Sequence, residues 1–273
     1  MVSFAAGPVK GFLTSTKGLR YDLPRERHWM RPRSRGSQRP LSVDMRTCYV
    51  VTWNRVPYAE ALARQRRVVG RLRESECSDA VLMLLEHNPV VTLGRGASND
   101  HLRLCPEELR RRGVEVCETT RGGDVTYHGP GQLVGYPILR LPEGRRDVHR
   151  YLRSLEAVII RALATYGISA DREPGLTGVW VAAGKIAAIG VAFTRWVAYH
   201  GFALNITTDI SAFELIVPCG IPDRPVVSME KVLGWAPARR EVEDRLIEEF
   251  AREFAFERVE RCGSFEELPP HLR

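Results

Sequence analysis

The chain has no apolar run long enough to span a bilayer. Its longest stretches, such as Ala187–Phe193, fall far short of the ~20 residues a membrane helix needs. The first residues lack the sustained apolar segment of a secretory signal. A soluble protein with no membrane partner is therefore expected, with a cytoplasmic location as the default. Six cysteines, at positions 48, 77, 105, 117, 219 and 262, show no CxxC spacing, which argues against a disulfide framework and for a reducing compartment. His101, Cys105 and Cys117 come nearest to a ligand set, but without paired spacing no metal is expected. A Walker A loop is missing, and Gly129-x-Gly131-x3-Gly135 departs from the dinucleotide-binding spacing. No internal repeat is visible.

What is present is an ordinary globular composition, 44% hydrophobic and 27% charged over 273 residues, enough chain for one large domain or two small ones. The net charge of +7 is unevenly placed. Residues 1–44 hold nine Lys and Arg against three Asp and Glu, whereas the remainder is balanced to within one charge. No basic stripe interleaved with aromatics appears, so a nucleic-acid partner is not expected. The stretch from Arg31 to Pro40 reads as disordered. Residues 1–44 stand open to three readings: a flexible basic tail, an overextended start with Met45 as initiator, or a targeting segment that would make the location mitochondrial. Residues 45–273 are expected to form a single catalytic domain.

Periodicity predicts strands at Cys48–Trp53, Val81–Leu85, Val90–Leu93, Val114–Cys117 and Gln132–Leu141, and three more at Val179–Ala182, Lys185–Phe193 and Val197–Asn205. Residues 57–72 read as an amphipathic helix whose apolar face is interrupted by Gln65. A short helix runs from Pro106 through Arg112 and is ended by Gly113. A longer one runs from an Asp147 cap to Tyr166 and is stopped by Gly167, with Leu152, Leu155, Ile159, Leu163 and Tyr166 inward. A last helix over 239–255 turns Val242, Leu246, Phe250 and Phe254 inward. The sum predicts an α/β or α+β fold, a mixed sheet with flanking helices.

Three segments interrupt these patterns. Arg121-Gly122-Gly123-Asp124-Val125-Thr126-Tyr127-His128-Gly129-Pro130-Gly131-Gln132 is too rich in glycine for a regular element. It is either a turn-rich loop or a place where backbone closes on a ligand. In Gly184-Lys185-Ile186-Ala187-Ala188-Ile189-Gly190 one lysine stands among small apolar residues, as a surface lysine with its stem laid flat or as a desolvated acid and base. In Val217-Pro218-Cys219-Gly220-Ile221-Pro222, prolines and a glycine fix a sharp turn that can present a thiol to a cleft. Cys48 and Cys117, inside predicted strands, read as core thiols.

Together and in this order, with His200–Asn205, the segments resemble the octanoyltransferases of lipoate synthesis, a family with the biotin/lipoate protein ligase catalytic fold. The resemblance covers roughly residues 46–260. It implies that Cys219 carries the acyl group as a thioester and that Lys185 lowers the thiol's pKa. It implies acyl-binding roles for Arg121, Gly122, Gly123, Asp124, Val125, Thr126, Tyr127 and His128, for Ala188, Ile189 and Gly190, and for Gly201, Phe202 and Ala203. The implied donor is octanoyl-acyl carrier protein. The implied acceptors are apo lipoyl domains of 2-oxoacid dehydrogenase E2 subunits and the glycine cleavage H protein, with no cofactor.

A cysteine nucleophile splits the transfer into two easier steps, and a neighbouring ammonium favours its thiolate. Backbone N–H groups of the glycine-rich loop would face the acyl carbonyl, with His128 either helping there or holding the loop. Apolar groups between Val179 and Phe202 would line the acyl tunnel. The alternatives within the fold are an ATP-dependent lipoate or biotin ligase, which needs no cysteine, and a lipoyl amidotransferase. Outside enzymes, the alternative is a non-catalytic acyl or lipoyl-domain binding module.

Overall fold

The computed structural model describes residues 46–75, 77–217 and 224–273. The chain divides into two units, and the second, Val43–Arg273, holds all the described residues. Residues 1–44, Cys219 and its Pro-Cys-Gly turn lie outside them.

In chain order the elements are β1 (Thr47–Val56), α1 (Tyr58–Glu74), β2 (Ala80–His87), β3 (Val90–Leu93), α2 (Pro106–Arg111), β4 (Glu115–Glu118), β5 (Val125–His128), β6 (Gln132–Arg140), α3 (Val148–Ala164), β7 (Asp171–Glu173), β8 (Leu176–Val181), β9 (Gly184–Thr194), β10 (Val197–Asn205), α4 (Met229–Leu233), α5 (Arg239–Phe254) and β11 (Arg258–Cys262). Among the described residues, eight strands form one mixed sheet in the order β11-β1-β2-β6-β10-β9-β8-β7, and β4-β3-β5 form a smaller one. β1 runs parallel to β11 and β2, and every other neighbouring pair in the large sheet is antiparallel. This is the mixed α/β sheet with flanking helices that the periodicity predicts.

Strand alternation builds two cores, one on each face of the large sheet. In β2, Ala80, Leu82 and Leu84 enter the core shared with α3 and α5. Val81, Met83 and Leu85 enter the opposite core, with Ala61, Val68 and Leu72 of α1. A strand buried on both faces reads as a continuous apolar run, as Val81–Leu85 does. The Asp147 side chain accepts from the Arg150 N–H at 3.0 Å and caps α3, and Gly167, at φ +73°, lies past its end. The inward face of α3 is broader than expected: Tyr151, Val158 and Ala162 are buried with Leu155, Ile159 and Leu163, while Leu152 and Tyr166 are only partly covered.

Two expectations need correction. Val125–His128 is a strand, paired antiparallel with β3, because the glycines flank rather than interrupt its Val-Thr-Tyr-His run. Cys117, read as core like the fully buried Cys48, is half-buried against a small satellite cluster. No helix among the described residues is long and apolar enough to cross a membrane.

Candidate active site

Close backbone approaches bring separate segments of sequence together. The Gly122 N–H donates to the Val191 carbonyl of β9 at 2.8 Å. At that crossing, a Cβ on Gly190 would lie 2.9 Å from the Gly122 carbonyl oxygen and 3.1 Å from Arg121 Cδ, so only glycine fits without displacement. On β10, a Cβ on Gly201 would overlap the Gly135 carbonyl oxygen and sit 2.5 Å from Pro137 Cδ. Both obstacles belong to backbone or a proline ring and cannot swing away. Gly201→Ala is therefore expected to cost about 1–3 kcal/mol or more, measured as a lowered Tm; an unchanged Tm would show that β6 and β10 can separate freely.

Arg121, Gly123, Asp124, Val125, Thr126 and His128, then Ala188, Ile189 and Gly190, and then Gly201, Phe202 and Ala203 line one cavity. Tyr58, Val134, Tyr136 and His200 complete its wall. Two of the residues selected from sequence lie off it. Gly122 spends its N–H on β9, and Tyr127 packs edge-on against the Phe213 ring at 5.6 Å, in the core beneath the small sheet. Val179 and Ile186, placed in the proposed tunnel from sequence, belong instead to the α3/α5 core.

Lys185 lines a smaller adjoining cavity that shares Thr126, Ala188 and Ala203 with the first. It is 8% exposed, the buried reading rather than the surface one. Its Nζ stands 5.2 Å from the Trp180 ring centroid, within reach of a cation–π contact. Its N–H donates to the Pro225 carbonyl at 2.8 Å, and its carbonyl accepts from the Val227 N–H at 3.0 Å. Val217, the last described residue before Cys219, donates its N–H to the His101 carbonyl at 2.8 Å.

Buried charge and neutral imidazoles set the electrostatics. The Arg121 guanidinium donates to the Thr92 carbonyl at 2.6 Å and to Thr92 Oγ1 at 2.9 Å, which fixes it against β3. Asp124 Oδ2 meets His101 Nδ1 at 2.5 Å. Gln132 Nε2 donates to the Tyr127 carbonyl and to Asn205 Oδ1. Its Oε1 is therefore the acceptor that faces His128 Nδ1 at 2.7 Å. This assigns the His128 proton to Nδ1 and leaves Nε2 with its lone pair, so His128 holds the loop and also faces the cavity. His87 Nδ1–H donates to the Val56 carbonyl at 2.8 Å, and its Nε2 accepts from the Tyr136 hydroxyl at 2.7 Å. Burial holds the imidazoles of His128 and His200 in the cavity wall, and of His87 behind them, neutral. It lowers His87 to about 4 and His128 to about 3, and lowers His200 to about 3 with help from the Arg121 charge.

Several contributors escaped the sequence reading. His200 takes a positive φ of 57°, and its N–H donates to Gln65 Oε1 at 2.9 Å; Gln65 in the apolar stripe of α1 was the available signal. Glu156, on the buried face of α3 and fully buried, accepts from Gly178 N–H at 3.1 Å and from Arg153 and Arg172. Gly178 lies beneath Lys185, where a Cβ would come within 2.6 Å of Lys185 Cε. Thr92, Tyr58 and Tyr136 carried no signal apart from lying in strand or helix patterns.

Residues 57–251 match the lipoyl protein ligase A/B catalytic domain family. An octanoyltransferase of Solibacter usitatus is 50% identical over 213 residues, 78% of this chain and 96% of its own. The chain belongs to the octanoyltransferase family. An octanoyltransferase of Myxococcus xanthus is 47% identical over 84% of this chain, which spans 64% of that longer relative. A bipartite lipoate protein ligase of Thermoplasma acidophilum shares the fold at a TM-score of 0.65 and 16% identity, over 81% of this chain and 89% of its own. At that identity the likeness speaks for the chain's fold alone.

Proposed function

We propose that this octanoyltransferase-family enzyme holds an octanoyl group on Cys219 and passes it to a lysine of a lipoyl domain, with Lys185 moving the protons. One observation carries the reading: three segments distant in sequence line a single cavity, and that cavity adjoins the buried Lys185. The Cys219 thiolate attacks the carbonyl of the octanoyl thioester on acyl carrier protein. The carrier's thiolate leaves and takes a proton from the Lys185 ammonium. The incoming lysine amine then attacks the Cys219 thioester, gives its proton to Lys185, and releases the thiolate. A thioester is exchanged for an amide, so the step is downhill without nucleotide. In this reading backbone N–H groups of the glycine-rich loop stabilise the carbonyl oxygen as it becomes negative, with Arg121, which lines the cavity, adding positive charge nearby.

In this reading residues 45–273 are one catalytic domain, which contains the family match at 57–251. Its acceptors are lipoyl domains of 2-oxoacid dehydrogenase E2 subunits and the glycine cleavage H protein, and its setting is the cytoplasm. Intact mass spectrometry after incubation with octanoyl-carrier protein, without ATP, is expected to show one octanoyl adduct on Cys219. Addition of an apo lipoyl domain should discharge it to a lysine. Strict dependence on ATP and free octanoate, with no activity from the carrier-bound donor, would place the chain with the ligases instead.

A further inference from the structure

At the edge of the molecule, three side chains of different donor chemistry converge from opposite ends of the described chain. Cys77 and Asp79 lie on the segment that leads into β2. His271 lies in the C-terminal turn. One ligand atom from each of the three falls within 4.8 Å of the other two, the one such trio among the described residues.

The arrangement is held independently of any ion. Asp79 Oδ1 accepts from the Thr47 N–H at 3.0 Å, while its Oδ2 meets His271 Nε2 at 3.1 Å. The turn carrying His271 is pinned on both sides, because Leu268 and Leu272 are buried in the core under α1. Arg71 Nε also donates to the Arg273 carbonyl at 2.7 Å.

We propose that Cys77, Asp79 and His271 form a binding site for a thiophilic divalent cation, with Zn²⁺ as the ion its donor set suits best. A thiolate, a carboxylate oxygen and an imidazole nitrogen are all zinc ligands, with bonds of about 2.0–2.3 Å. Tetrahedral geometry then sets the ligand atoms roughly 3.3–3.6 Å apart, so the trio needs to close by little more than an ångström. Solvent supplies the fourth position, since the His271 side chain is 44% exposed. Binding displaces the thiol proton of Cys77 to water and uses the neutral form of His271.

The site is remote from the chemistry. It precedes the first residue of β2, whereas His87, at the last, packs on His128 with ring centroids 5.8 Å apart. Seven steps along the strand separate those ends by roughly 23 Å. The ion would act as a clasp, fixing the C-terminal turn to the entry of β2.

The test uses the full chain, stripped with a chelator and titrated with Zn²⁺ against a chromophoric competitor, alongside Cys77→Ser and His271→Gln. Changes in the outer shell of zinc sites alone cost about 10–100-fold in affinity, so loss of a direct ligand should weaken Zn²⁺ at least that much. Co²⁺ should give a thiolate charge-transfer band in the wild type that Cys77→Ser lacks. Zn²⁺ should raise the Tm of the wild type and leave both variants unmoved. Equal Zn²⁺ affinity in the wild type and both variants, or a Co²⁺ band that survives Cys77→Ser, would overturn the site. Neither variant touches the acyl cavity, so transfer activity should persist in both, and the proposal stands or falls apart from the Cys219 mechanism.

Discussion

Replacing Lys185 with alanine should slow acyl transfer by about 10²–10⁴-fold, the usual contribution of a positioned acid and base, while the chain still folds. The folding half of that expectation comes from the main chain. Lys185 is tied to Pro225 and Val227 through its N–H and carbonyl, and alanine keeps both bonds. The contact of its side chain with the Trp180 ring contributes about 0.5–2 kcal/mol.

Loss of the ammonium should also return the Cys219 thiol towards its ordinary range. Iodoacetamide should then alkylate Cys219 more slowly near neutral pH, followed by peptide mass because Cys105 is exposed and reacts too. Lys185→Arg separates the two roles. It keeps a charge near the thiol but cannot give up its proton, so alkylation should survive better than turnover. Cys219→Ala should show no octanoyl adduct at all. Wild-type alkylation and transfer rates in Lys185→Ala would remove Lys185 from the mechanism.

Acid should unfold the domain earlier than its carboxylates alone would dictate. His87, His128 and His200 are buried neutral, with folded values of about 4, 3 and 3, against about 6.5 in an unfolded chain. Between those limits the unfolded state binds protons that the folded state refuses. Stability is therefore whole above about pH 6.5 and falls as pH drops towards about 4. Each group contributes up to about 1.4 kcal/mol per pH unit across that window. Three groups together approach 4 kcal/mol per unit, large against a total of about 5–15 kcal/mol. The rings are neighbours, His87 and His128 at 5.8 Å, so charging one further opposes charging the next. Urea midpoints at pH 7 and pH 5 should differ strongly, with about three protons taken up on unfolding. Flat stability over that interval would show that water reaches the imidazoles in the folded state.

The sheet was legible because burial writes itself into apolar runs: Val81–Leu85 and Val197–Asn205 are both strands of the large sheet. β5 was not, because its four residues sit between glycines and depend on pairing with β3, a partner more than thirty positions earlier. β7 and β11 are short edge strands with charged residues, Asp171-Arg172-Glu173 and Arg258 to Cys262, and they carry little apolar periodicity to read. The cavity segments announced themselves through glycines among polar residues. Their supports did not. Thr92 matters only because Arg121 folds onto it, and Glu156 looked like an ordinary helix acid, paired with Arg153 one turn earlier, until Gly178 and Arg172 arrived from elsewhere. Gln65 was visible as an anomaly, but its partner, the kinked His200 amide, was not.

The cavity's tight crossings have a consequence for how substrate range can change. Where β9 and β10 border it, the wall is Ala188, Ile189, Gly190, His200, Gly201, Phe202 and Ala203, with Gly190 and Gly201 pressed against neighbouring backbone. Four of these residues carry at most a methyl group, so only Ile189, His200 and Phe202 offer side chain to trim. If the cavity takes the acyl chain as proposed, bulk at Ala188 or Ala203 would shorten the chain accepted, whereas a side chain at Gly190 or Gly201 meets neighbouring backbone first. On that reading selection for shorter acyl groups has single-step routes at Ala188 and Ala203, while selection for longer ones must act on Ile189, His200 or Phe202 or move whole strands.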